Sequence, residues 1–299
     1  MPRIIYCYVE LILSLECRWW IIRFNQPLPQ MLELRTQALQ LLSISDPFIK
    51  GPSVLALRKD FEAGQVQLDP QSVLTEEGVE IPGRPATPIL VNPGLVKRRS
   101  MASKEGRAVL IHALAHIEFN AINLALDAIW RFPNMPNDYY QDWLKVAAEE
   151  AYHFDLLNTY LQSQGFQYGD FPAHNSLWEM VSKTTDSILA RMALVPRTME
   201  SRGLDALPPI QEKLAQAHDH EAVALLQIIL NDEIGHVEIG NRWFNYLCEQ
   251  NKLDPIVAYA DLVTKYDAPK LRGPFNYAAR KAAGFTDAEL TALHITQTH

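Results

Sequence analysis

The sequence predicts an all-α fold, a four-helix bundle with extra helices at its N- and C-terminal ends. Three observations carry that reading. Helical periodicity with few breakers dominates the stretch from about 103 to 250. No strand-like alternation persists anywhere along the chain. A phrase that puts a carboxylate and an imidazole one helical turn apart occurs twice, as AEEAYHF and as NDEIGHV.

The elements follow in order. The opening stretch IIYCYVELILSLECRWWIIRF is apolar, but Glu10, Glu16 and Arg18 make it a poor membrane span, and it lacks a secretory cleavage site. Residues 1–30 are therefore expected to be a dispensable extension, with one helical domain over residues 31–299. A chain that starts at Met31 is expected to stay soluble and folded, which circular dichroism checks. Helices are expected at 31–44 and 52–63, the first stopping at Asp46-Pro47. The Pro- and Gly-rich run QLDPQSVLTEEGVEIPGRPATPILVNPG reads as a long connection. Long helices follow near 103–131, 138–164, 175–202 and 219–250, with a shorter piece at 208–217. Pro196 falls inside the third and should kink it or open a bulge. Shorter helices near 254–266, 275–283 and 287–294 close the chain, the last opened by a capping box of Thr286 and Glu289.

Composition narrows the function classes. A length of 299 residues allows a sizeable core, and a formal net charge of −8 supplies no basic patch for nucleic-acid phosphates. Cys7, Cys17 and Cys248 form no CxxC, so neither a disulfide framework nor a thiolate zinc site is expected. A cytoplasmic protein with no membrane partner fits.

Side chains advance 100° per helical residue, which assigns each acid a face. Glu150 shares its face with Trp143, Val146, His153, Phe154, Leu157 and Leu161. Glu233 shares its own with Leu226, Ile229, His236, Val237, Gly240 and Phe244. Glu118 sits among Ile111, Ala115, Ile122 and Ile129, and Glu200 among Leu189, Ala193 and Leu204. Unpaired carboxylates on apolar faces cost on the order of several kcal/mol each, and a dinuclear metal centre would compensate them. Glu118 precedes Glu150 by 32 residues and Glu200 precedes Glu233 by 33, as two similar hairpins would leave them. One Glu from each of two helices plus Glu-x-x-His from each of the others is the ligand set of di-iron and di-manganese bundles. The expected ligands are Glu118, Glu150, His153, Glu200, Glu233 and His236. Glu149 and Asp232 lie at the stripe edges and read as rim charges or as acceptors for the ligand imidazoles, not as direct ligands. His112 and His116 face away from Glu118 and read as polar packing or contacts to the Pro-rich connection.

The stretches HALAHIEFNAINLALDAIWRF, DWLKVAAEEAYHF, YGDFPAHNSLWEM, ARMALVPRTMESRGLD and IILNDEIGHVEIGNRWF resemble the ferritin-like superfamily. The likeness is closer to the family labelled domain of unknown function 455, and runs from about Leu32 to Phe285. It implies a ferritin-like four-helix bundle with a di-iron site and brings no reaction with it.

Carboxylate oxygens with two imidazoles and no thiolate suit two iron ions, or manganese, better than structural zinc. The expected function is an oxygen-dependent oxidoreductase, a hydroxylase or oxidase, with dioxygen, an unidentified substrate and an external electron donor as partners. The alternative is an iron-handling ferroxidase with no organic substrate. A monomer or small oligomer is expected, because long flanking segments obstruct assembly of a cage. Among those segments, His174, Trp178, Arg272 and Asn276 are candidates to line a pocket, with Phe275 and Arg280 beside them. The basic residues there either bind an anionic group or dock the C-terminal helix by salt bridges.

Overall fold

The long helices begin and end where their capping chemistry dictates. The structure, a computed structural model, describes residues 32–76, 78, 80–95 and 99–295. The extension expected over residues 1–30 lies outside them. Helices α1 (Leu34–Leu42) and α2 (Pro47–Glu62) come first, then α3 (Lys104–Arg131) and α4 (Asn137–Ser163). Next come α5 (Ser176–Lys183) and α6 (Ile188–Leu194), the latter running through a π-helical turn, Val195–Glu200, into α7 (Ser201–Gln216). Helices α8 (His220–Gln250), α9 (Pro255–Lys265), α10 (Tyr277–Ala282) and α11 (Asp287–Ile295) complete the order. A two-residue parallel pair, Leu32–Glu33 with Val66–Gln67, and a bridge between Leu90 and Ala173 are the extended pairings among the described residues.

Helix α1 ends at Leu42 with Ser43 as its C-cap, and Asp46 starts α2 earlier than expected: its side chain accepts from the Phe48 amide, and Pro47 takes the first helical position. Ser103 caps α3 and Asp219 caps α8 in the same way. Thr286 and Glu289 bond reciprocally at the start of α11. The single helix expected over 175–202 is interrupted after Lys183, and Ser187 accepts from the Ala190 amide to open α6. The separate piece expected at 208–217 is instead the continuation of α7, with Pro208 and Pro209 inside it. Pro208 has no N–H for the Leu204 carbonyl, and the Asn276 side-chain amide donates there at 3.2 Å.

Helix α3 packs along α4, α7 along α8, and α4 against α8, while α1 covers α3 and α2 covers α4. Ile111, Ile122 and Ile129 of α3, Val146 and Leu157 of α4, and Leu226, Val237 and Phe244 of α8 are buried between these pairs. Helix α3 is long and apolar enough to cross a membrane, yet 72% of that window is buried inside the chain, as for a central core helix.

Buried cations fasten the outer segments. Arg35 donates to the Ile129 and Trp130 carbonyls at the end of α3, and to Ser72 in the connection. Arg191 pairs with Asp127 and donates to Thr184 and the Val181 carbonyl. The Lys50 amine donates to the Leu42 carbonyl at 3.1 Å, the Gly83 carbonyl at 3.3 Å and Asn123 Oδ1. Burial, followed by the charge of Arg84, pulls that amine down to about 7. An unfolded lysine titrates near ~10.4, so between those values the unfolded chain binds more protons, and stability rises with pH above about 7. Lys50→Met is expected to remove that rise and to cost about 1–3 kcal/mol at neutral pH, by leaving Asn123 Oδ1 and the Gly83 carbonyl unpaired, while the Leu42 carbonyl keeps the Gly83 amide. Urea unfolding at pH 7 and pH 9 measures both effects.

Candidate metal centre

Four helical segments deliver six buried side chains to one place. Glu118 comes from α3, Glu150 and His153 from α4, Glu200 from the end of the π turn, and Glu233 and His236 from α8. Glu150, His153 and His236 are 0% exposed, and the least buried of the six, Glu200, is 8% exposed. One ligand-type atom each from Glu118, Glu150, His153 and Glu233 lie within 4.8 Å of one another. His153 Nδ1 lies 3.4 Å from Glu150 and 3.7 Å from Glu118. His236 Nδ1 lies 2.9 Å from Glu150 and 3.7 Å from Glu233. Glu200 makes no such close contact, but it lines the same cavity as Glu118, Glu150 and Glu233.

The outer nitrogens of the imidazoles explain the doubled acids of the sequence. His153 Nε2 lies 3.0 Å from Asp232 Oδ2, and His236 Nε2 lies 3.0 Å from Glu149 Oε2. Each carboxylate thus holds the imidazole of the other helix. That crossing locks α4 to α8 and turns both Nδ1 atoms inward.

Buried polar atoms almost always have a hydrogen-bond partner. Here both Nδ1 atoms, both oxygens of Glu150 and of Glu200, and Glu118 Oε2 are buried without one. The short approach of His236 to Glu150 is an ion-pair distance that lacks hydrogen-bond alignment. Convergent unpartnered oxygens and two inward nitrogens form a donor set that metal cations satisfy, so this buried cluster is suited to binding metal.

The electrostatics agree. Burial, then the charge of Glu150, pushes Glu118 well above the usual carboxylate range. Burial, then Glu233, does the same to Glu200, and burial, then Glu150, raises Glu233. Burial opposes the charged form of Glu150 too, but the charge of His236 and the close approach of both imidazoles hold it well below that range. His153, against its burial, is pushed to about 11 by the nearby carboxylates of Glu118 and Glu150, and His236, also against its burial, is raised by Glu150 and Glu149. Crowded buried carboxylates of this kind favour either protons or the charge of a metal cation.

From this cluster a cavity of about 890 Å³ leads to the surface. His174 and the exposed Arg272 line it. Two other pocket candidates do not. Trp178 is buried in the core, because its side chain is apolar on the inner face of α5, and Asn276 is spent capping α10 and bonding to Leu204. Arg280, 0% exposed, docks α10 by its ion pair with Asp205. His112 accepts from the Gly169 amide and His116 contacts Tyr168 at 2.8 Å, so both pack on the segment after α4. Burial pulls each imidazole down to about 4. Arg202, Gly203 and Lys270 also line the cavity; Lys270 belongs to the basic flanking segment expected there, and no sequence signal marked Arg202 or Gly203, which lie outside the apolar stripes.

Residues 43–291 match the family described as Protein of unknown function (DUF455). Over 217 residues, 70% of this chain and 75% of the relative, the sequence is 51% identical to an uncharacterized protein of Haemophilus influenzae. No solved structure matches.

Proposed function

We propose, for a chain that belongs to the DUF455 family, a ferritin-like carboxylate bundle that holds two iron ions, or manganese, and oxidises an organic substrate with dioxygen. One observation carries the reading: the crossed contacts of Asp232 with His153 and of Glu149 with His236 aim two Nδ1 atoms at unpartnered glutamate oxygens inside an apolar core. Glutamates from two helices with Glu-x-x-His from two more are the ligands of di-iron and di-manganese bundles. Metal ions bound there would supply the electrons and Lewis acidity for reducing dioxygen.

The chain's own residues divide the remaining work. Asp232 and Glu149 fix the orientation of the imidazoles by accepting hydrogen bonds from their outer N–H groups. Glu200 ends the π turn with both oxygens unpartnered and, unlike Glu150, no imidazole within ion-pair distance, so its carboxylate has the most freedom to change position; π-helical turns recur at functional sites. Leu114, Leu177 and Leu207 give the cavity apolar walls that limit water beside the cluster. An external donor must return electrons, and a monomeric or small oligomeric cytoplasmic protein is the proposed setting.

The test is metal analysis of protein from iron-supplied cells, followed by oxygen uptake of the reduced form. Two irons per chain are expected, with one burst of uptake that stops until reductant is added. Sustained oxidation of many ferrous ions per chain would favour iron handling, and a single zinc would overturn both readings.

A further inference from the structure

We infer that the cavity beside the cluster binds an amphipathic organic anion, with its charged head at Arg202, Lys270 and Arg272 and its apolar body directed toward the glutamates. The inference rests on reading the cluster as a metal centre that serves an organic substrate. The cavity's size, about 890 Å³, is that of a site for a small organic molecule. Leu114, Leu177, Met199 and Leu207 line it between the buried glutamates and the exposed cations. An apolar body therefore has a surface to cover, and a polar head has a place to emerge.

The charges at the outer end point to an anion. Among the described residues, Arg202, Lys270 and Arg272 have no carboxylate within ion-pair distance, whereas Arg280 nearby is neutralised by Asp205. Asp205 is the one carboxylate lining the cavity outside the cluster, and it is already taken. Arg202 is close enough to His174 for its charge to add to burial in keeping that imidazole neutral. In a chain of net charge −8, three unpaired cations around one opening form a local exception. Three cations match a phosphate or carboxylate head; a nucleic-acid strand would need a longer basic track.

Gly203 offers a way to close the cavity. It lines the wall, and a Cβ there would meet no atom within 4 Å. A larger side chain at this position would enter the cavity and leave the core untouched.

The experiment is calorimetric titration of the full chain with 1-naphthyl phosphate, 1-naphthoate and neutral 1-naphthol, with metal content measured on each sample. Both anions are expected to bind about tenfold or more tighter than 1-naphthol. Replacing Arg202, Lys270 and Arg272 together by Gln should weaken the anions roughly thirtyfold, at about threefold per exposed charge, and leave 1-naphthol unchanged. Gly203→Phe should abolish binding of all three with metal content and thermal midpoint retained. The ratio of phosphate to carboxylate affinity identifies the head group. Equal binding of 1-naphthol and the anions, or unchanged anion affinity in the triple variant, overturns the inference. So does a single-stranded oligonucleotide that binds tighter than either small anion and is lost in the triple variant. Anion binding that persists in a chain found to take up no iron would keep this inference and sink the metal reading.

Discussion

Glu150→Ala is expected to reduce the chain to one metal ion or fewer, Glu233→Ala to do the same, and His112→Ala to keep the full complement. Glu150 is 0% exposed, approached by both imidazoles, and has no hydrogen-bonded oxygen. It is thus the group best placed to be shared between two ions. Glu233 belongs to the other Glu-x-x-His pair, so its loss removes a donor from the opposite half. His112 accepts from the Gly169 amide and lies outside the cluster. Metal-free stability should separate the glutamates further. Removing Glu150 strips both Nδ1 atoms of their nearest carboxylate, which costs stability. Removing Glu200, as Glu200→Met, takes away a buried carboxyl whose oxygens are both unpartnered, and should raise the metal-free thermal midpoint. Metal analysis and thermal unfolding of the same preparations give both readouts. Two ions per chain in the Glu150 variant would end the assignment.

Much of this was legible because helices carry their geometry in their numbering. The wheel positions of Glu118, Glu150 and Glu233 follow from the 3.6-residue period, and their burial follows from the neighbours they share. Pro196 announced a disturbed ladder, and a π turn occupies that stretch. The sequence could not show that Glu149 serves the imidazole of α8 and Asp232 that of α4, because a stripe-edge residue on one helix does not name the helix it faces. It misplaced the helix over 175–202 because Thr184–Ser187 mark a break by capping chemistry, while the apolar pattern continues on either side. Arg272 was named as a pocket candidate, but whether the cations of its segment bind or dock stayed open: a loop cation is charged in any fold, and only the missing carboxylate beside it separates a binding residue from a docking one such as Arg280.

Gly240→Ala is expected to destabilise the protein and lower its metal content, while Gly235→Ala on the same helix does neither. A Cβ on Gly240 would overlap the ring of Pro196 and approach the Arg197 amide at 3.6 Å, whereas one on Gly235 would meet nothing within 4 Å. Each substitution gains about 1 kcal/mol of helix propensity, so the difference between them isolates the clash. Relief by moving the π turn outward is resisted by a buried tether to α8 and α11. There the Arg197 guanidinium is pinned by Asn241 at 2.8 Å and by Glu289, among the rings of Phe244, Tyr259 and Phe285. A rigid proline ring facing a helix backbone has no rotamer to yield, so overpacking here should cost about 1–3 kcal/mol or more. The displaced turn ends at Glu200, so the strain reaches the carboxylate cluster itself. Urea unfolding with metal analysis compares the two variants. Equal stability and equal metal content in both would show that the approach of α8 to Pro196 does not set the position of Glu200.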